Sequence, residues 1–111
     1  MRDPANTSSF HVGLADALPI SQDATTSRTV VNTPQVRVVL FAMDTGQELT
    51  DHATPRAVVV QHVEGSMRFT VAGRTETLSP GDVVYLAPGD RHALTALTPC
   101  RFSLVLLAQE S

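Results

Sequence analysis

Closely spaced turn signals are the feature of this sequence that most constrains its fold. From Glu64 onward, turns containing glycine or proline recur every ~8 to 10 residues, the rhythm of antiparallel sandwiches and barrels. The apolar runs between these turns are too short for helices, and no stretch after residue 27 keeps a helical period over about 12 residues. Short runs rich in Val, Leu and Thr favour β-strands. We therefore predict an all-β domain.

Eight segments of the chain are predicted as strands. In one of them Met67, Phe69 and Val71 alternate with other residues, which predicts one buried and one solvent-facing side. The runs from Val36 to Met43 and from Val83 to Ala87 are apolar almost throughout, so each is expected to be covered on both faces. The predicted strands are 29–31, 36–43, 57–63, 67–72, 74–78, 83–87, 92–97 and 102–108.

The length of the chain fits one domain. With 111 residues, the chain can bury a single core but not a second one. Residues 1–27 are rich in Asp, Asn, Ser, Thr and Pro, and we expect them to form an N-terminal arm. Residues 28–111 are expected to form the single β domain.

Composition excludes several classes of function. The net charge is only -3 and the eight basic residues, all arginines, are scattered singly, so we expect no nucleic-acid partner. The absence of lysine excludes Schiff-base chemistry on a lysine, and the single cysteine excludes an intrachain disulfide. The sequence contains neither a signal peptide pattern nor an apolar run of about 20 residues. We expect a soluble, cytoplasmic protein that does not bind membranes.

Two short segments place histidines beside turns. The segment from Pro80 to His92, PGDVVYLAPGDRH, has two Pro-Gly-Asp turns around an apolar run and a histidine after the second turn. A second histidine, His52, follows a turn in GQELTDHAT. Together these segments resemble the two sequence motifs of the cupin superfamily, and the resemblance covers roughly residues 36 to 107. It implies a small RmlC-like cupin, a jelly-roll barrel also called a double-stranded β-helix.

The match to the cupin motifs is incomplete. Thr54 stands where the second histidine of the first motif belongs, and Val58 or Val59 stands where its glutamate belongs. In the second motif Ala87 replaces the proline and Ala96 replaces the asparagine. The glycines and histidines that match are Gly46, His52, Gly65, Gly81, Gly89 and His92.

The resemblance also implies a metal site. Cupins with complete motifs hold iron, manganese, nickel or zinc with three histidines and a carboxylate, and His52 and His92 stand at two of those positions. A third donor would come from outside the motifs, with His62 as the candidate. If Val58 faces the interior then His62 does as well, whereas a one-residue bulge would turn Gln61 inward. The candidate metal ligands are therefore His52, His92 and His62, and the candidate ligand-binding residues are Thr54, Val58 and Gln61.

Two functions are consistent with these residues. The first is a cupin that binds a small organic molecule in its barrel, with one divalent transition metal and oxygenase, isomerase or lyase activity. The second is a metal-free, non-catalytic binding or sensing module. Thr54, Val58 and Ala96 favour the second, because an apolar wall without a carboxylate makes a bound ion costly. The substrate and the reaction type stay open.

The resemblance further implies a partner. Cupin barrels are open at an edge and commonly dimerise by sheet extension and apolar packing, so we expect a homodimer. The first strand and the run from Phe102 to Ala108 are the edges that we expect the partner to cover.

Overall fold

The computed structural model describes residues 4–109, and in them the prediction of an all-β fold is confirmed. A 3₁₀ turn at Pro4–Asn6 and one short helix, α1 (Leu14–Ala17), precede the strands. No helix in this part of the chain is long and apolar enough to cross a membrane. The nine strands are β1 (Thr25–Asn32), β2 (Val36–Met43), β3 (Glu48–His52), β4 (Val58–Glu64), β5 (Met67–Val71), β6 (Arg74–Leu78), β7 (Val83–Leu86), β8 (His92–Ala96) and β9 (Cys100–Leu107).

The strands form two antiparallel sheets that pack face to face as a jelly roll. The first sheet has the order β1-β2-β9-β4-β7 and the second has the order β3-β8-β5-β6. Alternate residues of both sheets point into one shared core, as the pleat of a strand requires. The buried core residues are Met43, Val58, Val60, Met67, Phe69, Leu78, Leu86, Leu94, Ala96, Cys100 and Phe102.

Strand β2 is covered on both faces, as its sequence predicted. Ala42 and Met43 are consecutive in the chain and point to opposite faces, yet both are fully buried. The N-terminal segment lies against the outer face at this point, where the Arg101 guanidinium Nε donates a hydrogen bond to the carbonyl of Leu18 at 3.1 Å. An arm that lies against the outer face explains why an almost continuously apolar strand is stable here.

Strand β7 differs from its prediction. Val83 and Tyr85 are each 61% exposed, whereas Leu86 is buried. The prediction that this strand is covered on both faces was wrong, because β7 is an edge of the first sheet and its outer side has no layer over it. Its inner residues alone enter the core.

Other strand boundaries also differ. Strand β3 was not predicted because its sequence, ELTDH, lacks an apolar alternation, and it pairs only with β8 at the edge of the second sheet. Strand β1 begins at Thr25, inside the segment predicted as an arm. Residues 1–3 of that segment, and residues 110–111 at the other end of the chain, lie outside the described residues. The prediction of an edge at 102–108 was wrong, because β9 lies in the middle of its sheet between β2 and β4.

Candidate functional site

A cavity of about 310 Å³ lies between the two sheets. Its wall is mainly aliphatic and aromatic, with one hydroxyl and two imidazoles. We call it the histidine cavity, and it is lined by Phe41, Leu49, His52, Ala53, Thr54, Val58, Phe69, His92, Leu94, Leu104 and Leu106.

A register shift in β3 brings the two histidines together. Leu49 pairs with Leu94 of β8, and His52 pairs with His92, so three steps along β3 match two along β8. Without the extra residue, Leu49 and His52 would point to opposite faces of the sheet. The bulge returns His52 to the inner face beside His92. His52 therefore ends β3, a strand that the sequence did not predict.

The two imidazoles face each other across neighbouring strands. Their ring centroids are 6.2 Å apart and their planes differ by 28°. The ring of His92 is also nearly parallel to the ring of Phe69, at 5.9 Å and 4°. On its other side, His92 Nδ1 lies 3.4 Å from the carbonyl oxygen of Asp90. A carbonyl only accepts, so Nδ1 is the donor in this contact.

Thr54 and Val58 both line the histidine cavity. The carbonyl of Thr54 accepts a hydrogen bond from the backbone N–H of Gly89 at 2.8 Å, which joins the segment after β3 to the turn before β8. Val58 begins β4 and is almost completely buried. Thr54 therefore contributes a hydroxyl to the wall beside the paired histidines, and Val58 contributes an apolar side chain.

His62 and Gln61 lie away from this cavity. Strand β4 alternates regularly from Val58, so His62 points inward and is 2% exposed, while Gln61 points outward. His62 Nε2 donates to the carbonyl of Gly65 at 2.6 Å, and its buried Nδ1 has no partner among the described residues. Gln61 is exposed and its Oε1 accepts a hydrogen bond from Ser103 Oγ at 3.2 Å. Neither residue lines the histidine cavity, so neither supplies a third donor there.

The described side chains do not fit the metal that the sequence resemblance implied. Within the part of the chain that the structure describes, no three His, Cys, Asp or Glu side chains stand close enough together to hold an ion. Two imidazoles against an apolar wall leave a divalent ion without further ligands and without a neutralising carboxylate. What the arrangement can do is orient one polar group of an otherwise apolar guest.

Several lining residues were not identified as candidates from the sequence. Alternation marked Phe69 as inward-facing, and Leu94 and Leu104 lie in other predicted strands, but core and cavity wall look alike in such patterns. Cys100, the single cysteine of the sequence, is fully buried. Burial, with a smaller contribution from the charge of Glu64, raises the pKa of its thiol to about 11. It does not line the histidine cavity.

Comparison with solved structures shows the same fold in several small proteins. A conserved protein of unknown function from Streptococcus pyogenes is 27% identical, with a TM-score of 0.83 over 95% of this chain and 92% of that one. A cupin superfamily protein from Desulfitobacterium hafniense is 16% identical, with a TM-score of 0.81 over 91% and 93%. KdgF from a Halomonas species is 23% identical, with a TM-score of 0.78 over 92% and 96%.

Sequence comparison gives the family. No curated protein shows significant similarity to the chain. The family model of the AraC-like ligand binding domain matches residues 35–110, which include eight of the nine strands and every residue that lines the histidine cavity. This chain is therefore a small cupin that belongs to the family of AraC-like ligand binding domains.

Proposed function

We propose that this domain binds a compact, mainly apolar organic molecule that carries one hydrogen-bonding head group, and that it does so without a metal ion. The distribution of polar side chains in the histidine cavity carries the proposal. His52 and His92 come from paired positions of β3 and β8, Thr54 follows two residues after His52, and the rest of the wall is apolar. Such a wall favours a ligand with one polar end.

The size of the cavity limits the ligand. Its volume of about 310 Å³ is at the lower end of small-molecule sites. It is about twice the volume of an engineered apolar cavity that holds benzene. We expect a ligand about the size of a benzene ring with two or three further non-hydrogen atoms, with a hydroxyl or a carboxylate directed towards the imidazoles.

Sugars do not suit this cavity. A sugar carries a hydroxyl on nearly every carbon, and each buried hydroxyl without a partner costs roughly 1–3 kcal/mol. Three polar side chains on one side of the cavity leave most of those hydroxyls against leucine, valine and phenylalanine. The expected order of affinity is therefore aromatic alcohol or acid first, a plain hydrocarbon second and a sugar last.

Titration with four probes tests this proposal. Benzyl alcohol, benzoate, toluene and glucose are added to the protein, and binding is followed by ligand-observed NMR and by calorimetry. We expect benzyl alcohol or benzoate to bind more tightly than toluene, and His92→Ala to remove that advantage. His11→Ala is the matched control, because His11 is exposed in the N-terminal segment. Glucose binding as tightly as the aromatic probes, or no binding of any probe, contradicts the proposal.

A metal-dependent enzyme is the second candidate, and the facing pair of His52 and His92 is the observation that favours it. Metal analysis of protein purified without a histidine tag separates the two functions. Our proposal predicts far less than one bound transition metal per chain, with no difference between the wild type and His92→Ala. Stoichiometric metal that is lost in His92→Ala would establish the second candidate instead.

A further inference from the structure

A second cavity lies on the far side of Phe69 from the histidine cavity. It has a volume of about 290 Å³ and opens between strands β5 and β6 of one sheet and β7 of the other. We call it the seam cavity, and it is lined by Phe69, Val71, Arg74, Glu76, Leu78, Val83, Val84 and Tyr85. Among the described residues, Phe69 alone lines both cavities.

The topology explains why the barrel is open at this seam. Strand β6 is an edge of the second sheet, β7 is an edge of the first, and the two strands do not pair with each other. Phe69 lies on β5, with Leu94 opposite it on β8 and Glu76 opposite it on β6. Its side chain therefore stands between the strand that carries His92 and the strand that borders the seam.

The ring of Phe69 forms a fixed partition. It is only 3% exposed although a cavity lies on each side. Its nearly parallel contact with the His92 imidazole, at 5.9 Å and 4°, holds the orientation of the ring. An aromatic ring held in this way separates the histidine cavity from the seam cavity.

We propose that Phe69 is the specificity-determining residue that sets the length of the ligand, and that the seam cavity is the site that a longer apolar tail occupies once this ring is reduced. The proposal rests on the proposed function only in taking the histidine cavity as the ligand site. It does not depend on the head group, so neutral probes test it separately.

The test compares the affinities of toluene and n-butylbenzene, measured by ligand-observed NMR. Each buried methylene is worth about a fourfold gain in affinity. In the wild type, n-butylbenzene gains nothing over toluene because its tail meets Phe69. In Phe69→Leu the tail enters the seam cavity, and the ratio of the two affinities rises at least about tenfold. Phe69→Met has a flexible side chain, fills more of the space left by the ring than leucine does, and shifts the ratio in the same direction. This variant replaces Phe69→Leu in the test if the leucine variant does not fold.

Two further variants show where the tail goes. Val84 lines the seam cavity, so Phe69→Leu combined with Val84→Phe refills it and returns the ratio to the wild-type value. Phe102→Leu is the matched control, because Phe102 is buried as Phe69 is but lines neither cavity. It leaves the ratio within about threefold of the wild type, less than one buried methylene supplies.

Each outcome separates the two proposals. An unchanged ratio in Phe69→Leu and Phe69→Met, or a gain that persists when Val84→Phe is added, overturns the role of Phe69 while leaving the proposed function intact. If toluene and n-butylbenzene both fail to bind the wild type and the Phe69 variants, the histidine cavity is not a ligand site and both proposals fall. If toluene binds but benzyl alcohol and benzoate show no advantage, only the head-group part of the proposed function fails.

Discussion

Replacement of Gly65 by alanine tests the tightest contact in the fold. Gly65 follows β4 with a φ of +78°, a conformation that residues with a Cβ rarely adopt. A Cβ placed there would lie 2.1 Å from the carbonyl oxygen of Pro99 and 2.9 Å from both the Cβ of Cys100 and Oγ1 of Thr98. The side chain therefore meets backbone as well as side-chain atoms.

Hydrogen bonds on both sides of Gly65 prevent this turn from moving aside. The backbone N–H of Ser66 donates to Thr98 Oγ1 at 2.9 Å, and the N–H of Leu97 donates to the carbonyl of Ser66, also at 2.9 Å. The carbonyl of Gly65 itself accepts from His62 Nε2 at 2.6 Å. Any shift that makes room for a methyl group has to stretch one of these three bonds.

Gly73 provides the matched control. It has nearly the same φ, +76°, but nothing lies within 4 Å of the position that a Cβ would take. Gly73→Ala should therefore cost only the strain of positive φ, about 1–2 kcal/mol. Gly65→Ala should cost the same strain plus overpacking, typically about 1–3 kcal/mol, for a total of about 2–5 kcal/mol. In a domain of this size each kcal/mol lowers Tm by roughly 4–8 °C.

Equilibrium urea unfolding followed by circular dichroism measures both costs. We expect similar m-values for the two variants and a free energy of unfolding for Gly65→Ala that is lower by at least about 1 kcal/mol than that of Gly73→Ala. Equal costs, within about 0.5 kcal/mol, would refute the reasoning, because they would leave the contacts with Pro99 and Cys100 without effect.

Four further predictions concern parts of the molecule outside the histidine cavity. The Cys100 thiol is buried, and its raised pKa keeps it neutral in the folded state. At pH 8 a thiol reagent should therefore label Cys100 only at the rate of unfolding, and fast labelling of the folded protein would contradict this. The same shift, from 9.0 to about 11, makes ionisation of this thiol favour the unfolded state. The contribution of Cys100 to stability should therefore be fully present below pH 9 and be lost between pH 9 and 11, and a Cys100→Ala variant should lack that fall in pH-dependent urea unfolding. The Arg101 guanidinium donates hydrogen bonds to the Leu18 carbonyl and to the Glu64 carboxylate. Arg101→Met should therefore raise the rate at which a protease cleaves the N-terminal segment, while the barrel stays resistant. An unchanged cleavage rate would show that the segment is held in another way. We also propose a homodimer through the outer face of the first sheet, and sedimentation should give a dimer at micromolar concentration that Tyr85→Arg dissociates; a wild-type monomer would overturn this. The outer-face residues that stand in direct cross-strand register are Val31, Val38, Val105, Val59 and Tyr85.

The sequence predicted the fold well because local patterns determine it. The alternation of Met67, Phe69 and Val71 and the continuous apolarity of β2 both correspond to burial in the structure. Strand β3 escaped prediction because it is a polar edge strand whose existence depends on pairing with β8. The exposure of Tyr85 also depends on tertiary structure, since the order of strands in a sheet cannot be read from one strand.

The site was predicted only in part, for a related reason. Motif spacing pointed to His52 and His92, and the bulge in β3 brings them into register. His62 was equally plausible by residue type, but a regular β4 places it about 13 Å along the strand from Val58, where it bonds Gly65 instead. Phe69 had no motif to mark it. Its position between two cavities depends on the unpaired edges of β6 and β7, which are a property of the whole barrel.

The most direct test of the account is a titration of metal-stripped protein with benzyl alcohol and benzoate, observed through the ring nitrogens of ¹⁵N-labelled histidines. The chain has four histidines, of which His52 and His92 line the histidine cavity while His11 and His62 do not and serve as internal controls. We predict saturable shifts of the His52 and His92 signals with one ligand per chain, and no shift of the other two. Shifts that appear only after a transition metal is added, or no shifts at saturating ligand, would contradict a metal-free binding site in this cavity.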